Sequence, residues 1–202
     1  MRVVVVGGTG TIGSAVVAAL SASHEVVTVG RTSGALQVDL ASPESIRGMF
    51  QSVGAFDALV SAAGQAKFAS LDELTDADYL FSFSNKLMGQ VNLVRIGRQF
   101  INDGGSFTLT SGVLSQEPMK GSASISMVNA GLEGFVRAAA QELPCGIRVN
   151  VVSPPWVTET LVARKMDPSD GMPAASVAQA YLASVEGSMT GQTLDPRKLA
   201  DR

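Results

Sequence analysis

Thiol and imidazole are nearly absent from this chain of 202 residues, which carries one cysteine, Cys145, and one histidine, His24. A lone cysteine excludes an internal disulfide framework and suits a reducing cytoplasm; Cys145, near a turn, reads as an inert small residue. His24 stands just before an apolar run, where a surface or cap role is expected, and no metal site is expected. Positive charge is also sparse: 15 basic residues against 18 acidic ones leave a net charge of −3. With no dense Lys/Arg stretch either, nucleic acid is excluded as a partner. No segment reaches the roughly 18 uninterrupted apolar residues of a membrane span. Arg2, the apolar run after it and residues 19–23 imitate a secretory signal, but Gly7, Gly8, Gly10 and Gly13 break its hydrophobic region. A soluble, cytoplasmic protein is the expectation. Repeats, low-complexity tracts and linkers are missing too, so the 46% hydrophobic content points to one core and a single domain over residues 1–202.

What the sequence does contain is an alternation. Apolar, β-branched runs at residues 3–6, 26–29, 58–60, 106–109 and 148–152 are separated by helix-compatible stretches, which predicts a parallel sheet covered on both faces. Ser42-Pro43-Glu44 supplies an N-cap, a first-turn proline and a dipole-matching acid for a helix reaching about Val53. A long helix is predicted over residues 76–100, with Leu80, Phe83, Leu87, Val91 and Val94 along one side. Another runs from near Ser122 to Leu143 and is stopped by Pro144. Only residues 31–35 separate the second strand from a third at residues 36–40. Parallel neighbours usually need a crossover of about a dozen residues or more, so the usual helix is missing and this strand must be short or irregular.

The first strand runs straight into Gly7-Gly8-Thr9-Gly10-Thr11-Ile12-Gly13, and a helix-compatible stretch over residues 14–20 follows. Glycines at such a junction allow a tight turn and bring backbone N–H groups up to a pyrophosphate, which rests on the helix N-terminus. A bound dinucleotide is the prediction; a tight turn without a ligand is the alternative.

These residues resemble the short-chain dehydrogenase/reductase family, and the likeness extends over nearly the whole chain. The glycine turn carries it first, with Thr11 where most members have glycine. Val38-Asp39-Leu40 looks like the family's adenine-contacting aspartate and its neighbour, and Ser61-Ala62-Ala63-Gly64 stands for the usual Asn-Asn-Ala-Gly. Asn85 falls where the family's helix asparagine is expected, and Thr110-Ser111 where its active-site serine ends a strand. The segment from Arg148 to Pro154 is similar to the sixth strand and the proline beside the nicotinamide, and Thr190-Gly191-Gln192 to the C-terminal Thr-Gly-Gln. The resemblance implies a Rossmann-type, doubly wound α/β fold with roughly seven strands. It also implies cofactor contacts at Gly7, Thr9, Thr11, Ile12, Gly13, Asp39, Leu40, Ala62, Ala63 and Gly64. An NAD enzyme of this architecture usually has a carboxylate about 20 residues past the turn. Here Arg31, Thr32 and Ser33 occupy that place, and a guanidinium with two hydroxyls suits a 2′-phosphate, so NADP(H) is expected. A solvated arginine at a strand end is the alternative.

The resemblance fails at the family's tyrosine and, four residues later, lysine. One register puts Ile125 and Asn129 there, and a shift by one puts Ser124 and Val128 there; neither restores the pair. A tyrosine with a pKa near 10 donates a proton at neutral pH only when a nearby cation stabilises its phenolate. Ile125 carries no proton, whereas Asn129 could still bond the nicotinamide ribose. Tyr79 and Tyr181 are expected to pack. Ser111 and Asn85 are the surviving catalytic candidates; Ser122, Ser126 and Lys120 are weaker ones, read as a solvated loop or helix face. Pro154, Trp156 and Val157 are expected beside the nicotinamide, with Pro155 in the usual glycine position. The short segment around residues 160–174 is the expected substrate cap, implying an open site or a small substrate. The family likeness further implies a homodimer or homotetramer, with Leu87, Val91, Leu132 and Phe135 as candidates for its face. Function therefore reads as an NADP(H)-dependent oxidoreductase of a small carbonyl or alcohol with a non-standard proton donor. The alternative is a catalytically silent NADP(H)-binding sensor or regulatory protein. A scaffold that binds no nucleotide is hard to square with Gly7, Gly13, Arg31 and Asp39 together.

Overall fold

The computed structural model describes residues 1–199. Seven strands form one sheet in the order β3-β2-β1-β4-β5-β6-β7: β1 (Arg2–Val6), β2 (Glu25–Gly30), β3 (Leu36–Gln37), β4 (Phe56–Ser61), β5 (Ile101–Thr110), β6 (Arg148–Val152) and β7 (Thr193–Leu194). Every pairing is parallel. The valine run of β1 explains why: Val4 and Val6 enter one apolar cluster while Val3 and Val5 enter another on the opposite face. A strand buried on both faces has no use for alternation.

On the first face pack α2 (Pro43–Val53), α4 (Gly89–Gly97) and α5 (Ala123–Glu142); on the second, α1 (Thr11–Leu20) and α7 (Ala174–Glu186). The start of α2 follows its sequence signals: Ser42 Oγ accepts from Ser45 N at 3.1 Å, Pro43 opens the first turn and Gly54 closes the helix at φ +70°. Its Ile46, Met49, Phe50 and Val53 are buried, three and four apart. Phe50 stacks on Phe56 and on Phe100 at 5.5 Å each.

The third strand is shorter than expected, ending at Gln37 rather than residue 40. The expected helix over residues 76–100 is three pieces: α3 (Asp76–Ser82), opened by a Thr75/Asp78 capping box, a π-helical turn over Phe83–Met88, and α4. Two of the four residues proposed for a subunit face are taken up by the chain's own core, and the other two stay partly exposed. Val91 and Leu132 are buried in the chain's own core, and Leu87 and Phe135 pack against it. The apolar side chains left outside include Leu80, Phe83 and Met127. Among the described residues no helix is long and apolar enough to cross a membrane, and no cluster of ligating side chains could hold a metal.

Candidate functional site

Because all strands are parallel, their C-terminal ends share one edge, and the order reverses between β1 and β4. In open α/β sheets ligands bind in the crevice beyond such a switch point. Two depressions occupy it. The first is bordered by Gly7, Thr9 and Gly10 from the β1–α1 turn, Arg31 after β2, Asp39 and Leu40, and Ala62, Ala63, Gly64 and Asn85. The second is bordered by Phe68, Lys86, Ser111, Gly112, Ile125, Asn129, Pro154, Trp156 and Arg164. They meet at Gly64, where an added Cβ would stand 3.0 Å from Lys86 Cγ.

The turn is built by its glycines. Gly7 has φ +81°, and a Cβ on it would press on Ala62 O at 2.7 Å. Gly7 N and Gly8 N both donate to Val29 O, at 2.7 and 3.2 Å, tying the turn to β2. Helix α1 then starts at Gly10 with no side-chain cap and no acid in its first turn, so its first N–H groups have no side-chain acceptor. Gly13 does not line the depression; a Cβ on it would collide with Gly7 O, so it sets how closely the helix lies on the strand. Thr11 and Ile12 stand in the same first turn, outside the lining residues.

Arg31 is exposed at the rim and makes no ion pair among the described residues. Thr32 and Ser33 beside it are not lining residues; Ser33 Oγ bonds Thr9 Oγ1 at 3.3 Å. Asp39 Oδ1 accepts from Ala41 N at 3.0 Å, forming a turn that holds Asp39 at the rim. The donor set of this depression, with uncapped helix N–H groups, an unpaired guanidinium and hydroxyls, suits a phosphorylated ligand.

Around the second depression several expected side chains point elsewhere. Ser111 lines it, but its Oγ donates to Glu133 Oε1 at 3.1 Å and lies 3.4 Å from Val152 O. Glu133, buried on α5, also accepts from Ser115 Oγ at 2.6 Å and Gln116 Nε2 at 3.3 Å. Asn85 Oδ1 accepts from Gln65 N at 2.7 Å, bracing the loop after β4 rather than reaching the second depression. Lys120, Ser122 and Ser126 border a separate depression. Neither tyrosine borders the cleft: Tyr181 is fully buried, with Oη 2.7 Å from Thr110 Oγ1, and burial pushes its phenol up.

Two groups do converge. Asn129 Nδ2 donates to Gly112 O at 3.2 Å, while its Oδ1 is buried with no partner. Lys86 Nζ donates to Ser111 O at 3.0 Å, and burial pushes its ammonium pKa down to about 8. Sequence reasoning missed Lys86, although one signal existed: Ser82, Phe83, Gly89 and Gln90, three and four positions away, offer it no acid. Arg164 was missed too; it caps the C-terminus of α6 (Thr158–Ala163). The segment after α6 is pinned at its base by Val157 and Met172, with Met172 N donating to Trp156 O at 2.9 Å. Val157 is buried in that anchor and does not border the cleft.

A dinucleotide-binding crevice at the switch point of a doubly wound sheet is the class that this fold and site define. A family model described as enoyl-(acyl carrier protein) reductase matches residues 10–191, and the chain belongs to the short-chain dehydrogenase/reductase family. The protein lin1944 from Listeria innocua is 42% identical, with a TM-score of 0.93 over 96% of this chain and 98% of that one. A small-chain dehydrogenase solved in complex with NADPH is 28% identical, with a TM-score of 0.85 over 96% and 95% of the two chains. An uncharacterized oxidoreductase of Methylorubrum extorquens is 31% identical over 137 residues, 65% of this chain. The chain spans only 55% of that relative's length.

Proposed function

We propose that the protein binds NADP(H) across the two depressions and acts as an oxidoreductase on a small carbonyl or alcohol, without the family's tyrosine–lysine pair. The observation that carries this reading is the unpaired Arg31 at the rim of a crevice whose helix N-terminus has no cap. The first turn of α1 receives the pyrophosphate, Arg31 the 2′-phosphate, and the orphaned Asn129 Oδ1 accepts from a ribose hydroxyl. NADP(H), when bound, supplies the hydride chemistry. Trp156, Pro154 and Ile125 give the cleft an apolar wall. The complex of the 28% identical dehydrogenase with NADPH supports the same cofactor.

A second reading, a silent NADP(H)-binding regulator, is favoured by one observation: the Ser111 hydroxyl is given to Glu133 instead of to the cleft. Turnover of small carbonyl compounds with NADPH separates the two readings. The cofactor itself is tested by titrating NADPH and NADH while following Trp156 fluorescence. Arg31→Ala should weaken NADPH about 10- to 100-fold, the worth of a charge-assisted bond, and leave NADH unchanged. Equal weakening of both would remove Arg31 from the phosphate site. Exposed Leu80, Phe83 and Met127 further favour a homodimer or homotetramer, which light scattering at micromolar concentration would reveal.

A further inference from the structure

Lys86 enters the second depression from the π-helical turn over Phe83–Met88. Such turns hold one residue more than an α-helical turn and are frequent at functional sites. Gly64 lies across the lysine stem, where an added Cβ would stand 3.1 Å from Lys86 Cα and 3.3 Å from its Cβ. The stem is thus fixed by backbone. An ammonium has three donors; one is recorded bonding, to Ser111 O, so two are left for a ligand. Among the described residues no carboxylate comes within ion-pair distance of it. Next along the same wall, Asn129 holds Gly112 O and keeps a buried acceptor unfilled. A half-buried cation beside a buried, unsatisfied amide oxygen is costly, and a ligand bearing oxygens and hydroxyls would satisfy both.

We propose that Lys86 is the charged, proton-holding group of this cleft, its Nζ donating a hydrogen bond to an oxygen of the ligand bound over Ser111 and Gly112. The inference rests on the NADP(H) reading above and adds to it a cation brought in from the helical turn packed beside α5. The proton can pass from Nζ to that oxygen, which leaves a neutral amine to be recharged from solvent. A group whose pKa lies near the working pH is suited to this. The other charged groups facing it are Glu133, reached only through Ser111 Oγ, and Arg164 at the rim. From α5, Ile125 and Asn129 face it without charge.

The test is trace acylation of the full chain with acetic anhydride over a pH series, read by peptide mass spectrometry with and without NADP⁺. Trp156 fluorescence is followed in parallel to report occupancy. Lys86 should label with a midpoint near 8, below exposed Lys120 and Lys198, and saturating NADP⁺ should slow its labelling about fivefold or more. Lys86→Met should weaken NADPH binding about tenfold, with Lys86→Arg restoring most of it. Occupancy by fluorescence without protection of Lys86, or full NADPH affinity in Lys86→Met, would overturn the inference while leaving the cofactor reading intact. Absence of any fluorescence response in the wild-type chain would overturn both.

Discussion

Replacing Glu133 with alanine should loosen the wall of the cleft without removing an atom that borders it. The Glu133 carboxylate is buried and accepts from Ser111 Oγ, Ser115 Oγ and Gln116 Nε2, with no cation beside it. Hydrogen bonds to a charged group contribute about 1.5–3 kcal/mol each. The cost of burying the charge, several kcal/mol, disappears with the side chain and offsets part of that sum. Two of the three donors have fallback acceptors, Val152 O at 3.4 Å from Ser111 Oγ and Gly112 O at 3.0 Å from Ser115 Oγ. A net loss of about 2–3 kcal/mol remains, which for a chain of this size is a fall of roughly 5–10 °C in Tm. Glu133→Gln keeps the shape and one acceptor oxygen and should lose about 1 kcal/mol. Urea unfolding followed by circular dichroism and by fluorescence, with coincident transitions, measures both variants. An alanine variant within about 0.5 kcal/mol of wild type, or a glutamine variant less stable than alanine, would refute this account of the Ser111 segment.

Burial lowers the Lys86 pKa from 10.5 to about 8, so the unfolded chain binds the extra proton between those values and wild-type stability should rise with pH across that window. The size is on the order of 3 kcal/mol at full depression, so Lys86→Met should outlast wild type near pH 7 and lose that advantage by about pH 10. A pH-independent gap would contradict it. Gly48 sits inside α2 with nothing within 4 Å of an added Cβ, so Gly48→Ala should stabilise the protein by about 1 kcal/mol in urea unfolding. Tyr181→Phe removes one buried hydrogen bond, to Thr110, and should cost about 1 kcal/mol in stability while sparing NADPH binding and turnover. Loss of turnover with unchanged Tm would make Tyr181 a participant in the chemistry.

The sheet was legible because a strand buried on both faces is mostly apolar: residues 3–6 are all valine, and in 148–152 valines fill every place but those of Arg148 and Asn150. The absent crossover after β2 was legible from chain length alone: five residues cannot span a helix, and β3 is two residues long. What periodicity hid was the π turn. Apolar spacing across residues 76–100 fits one long helix, but the widened turn changes the rotational phase midway. Asn85 borders the first depression, while the side chain that arrives at Ser111 O is that of its neighbour Lys86. Likewise Ser111 is at its expected place on the chain, yet a buried acid at position 133, on a helix that reads as amphipathic, redirects its hydroxyl. Neither effect is written in residue spacing; both arise from how helices lie on the sheet.

Both margins of the sheet are two residues long, β3 at Leu36–Gln37 and β7 at Thr193–Leu194. An incoming strand needs a row of open backbone groups to template on, and a two-residue margin offers almost none. Growth of one sheet into the next, the route to fibrils and swapped strands, is thereby starved of a starting point. An engineered chain that lengthened either margin by a few β-branched residues would create the template that this sequence withholds.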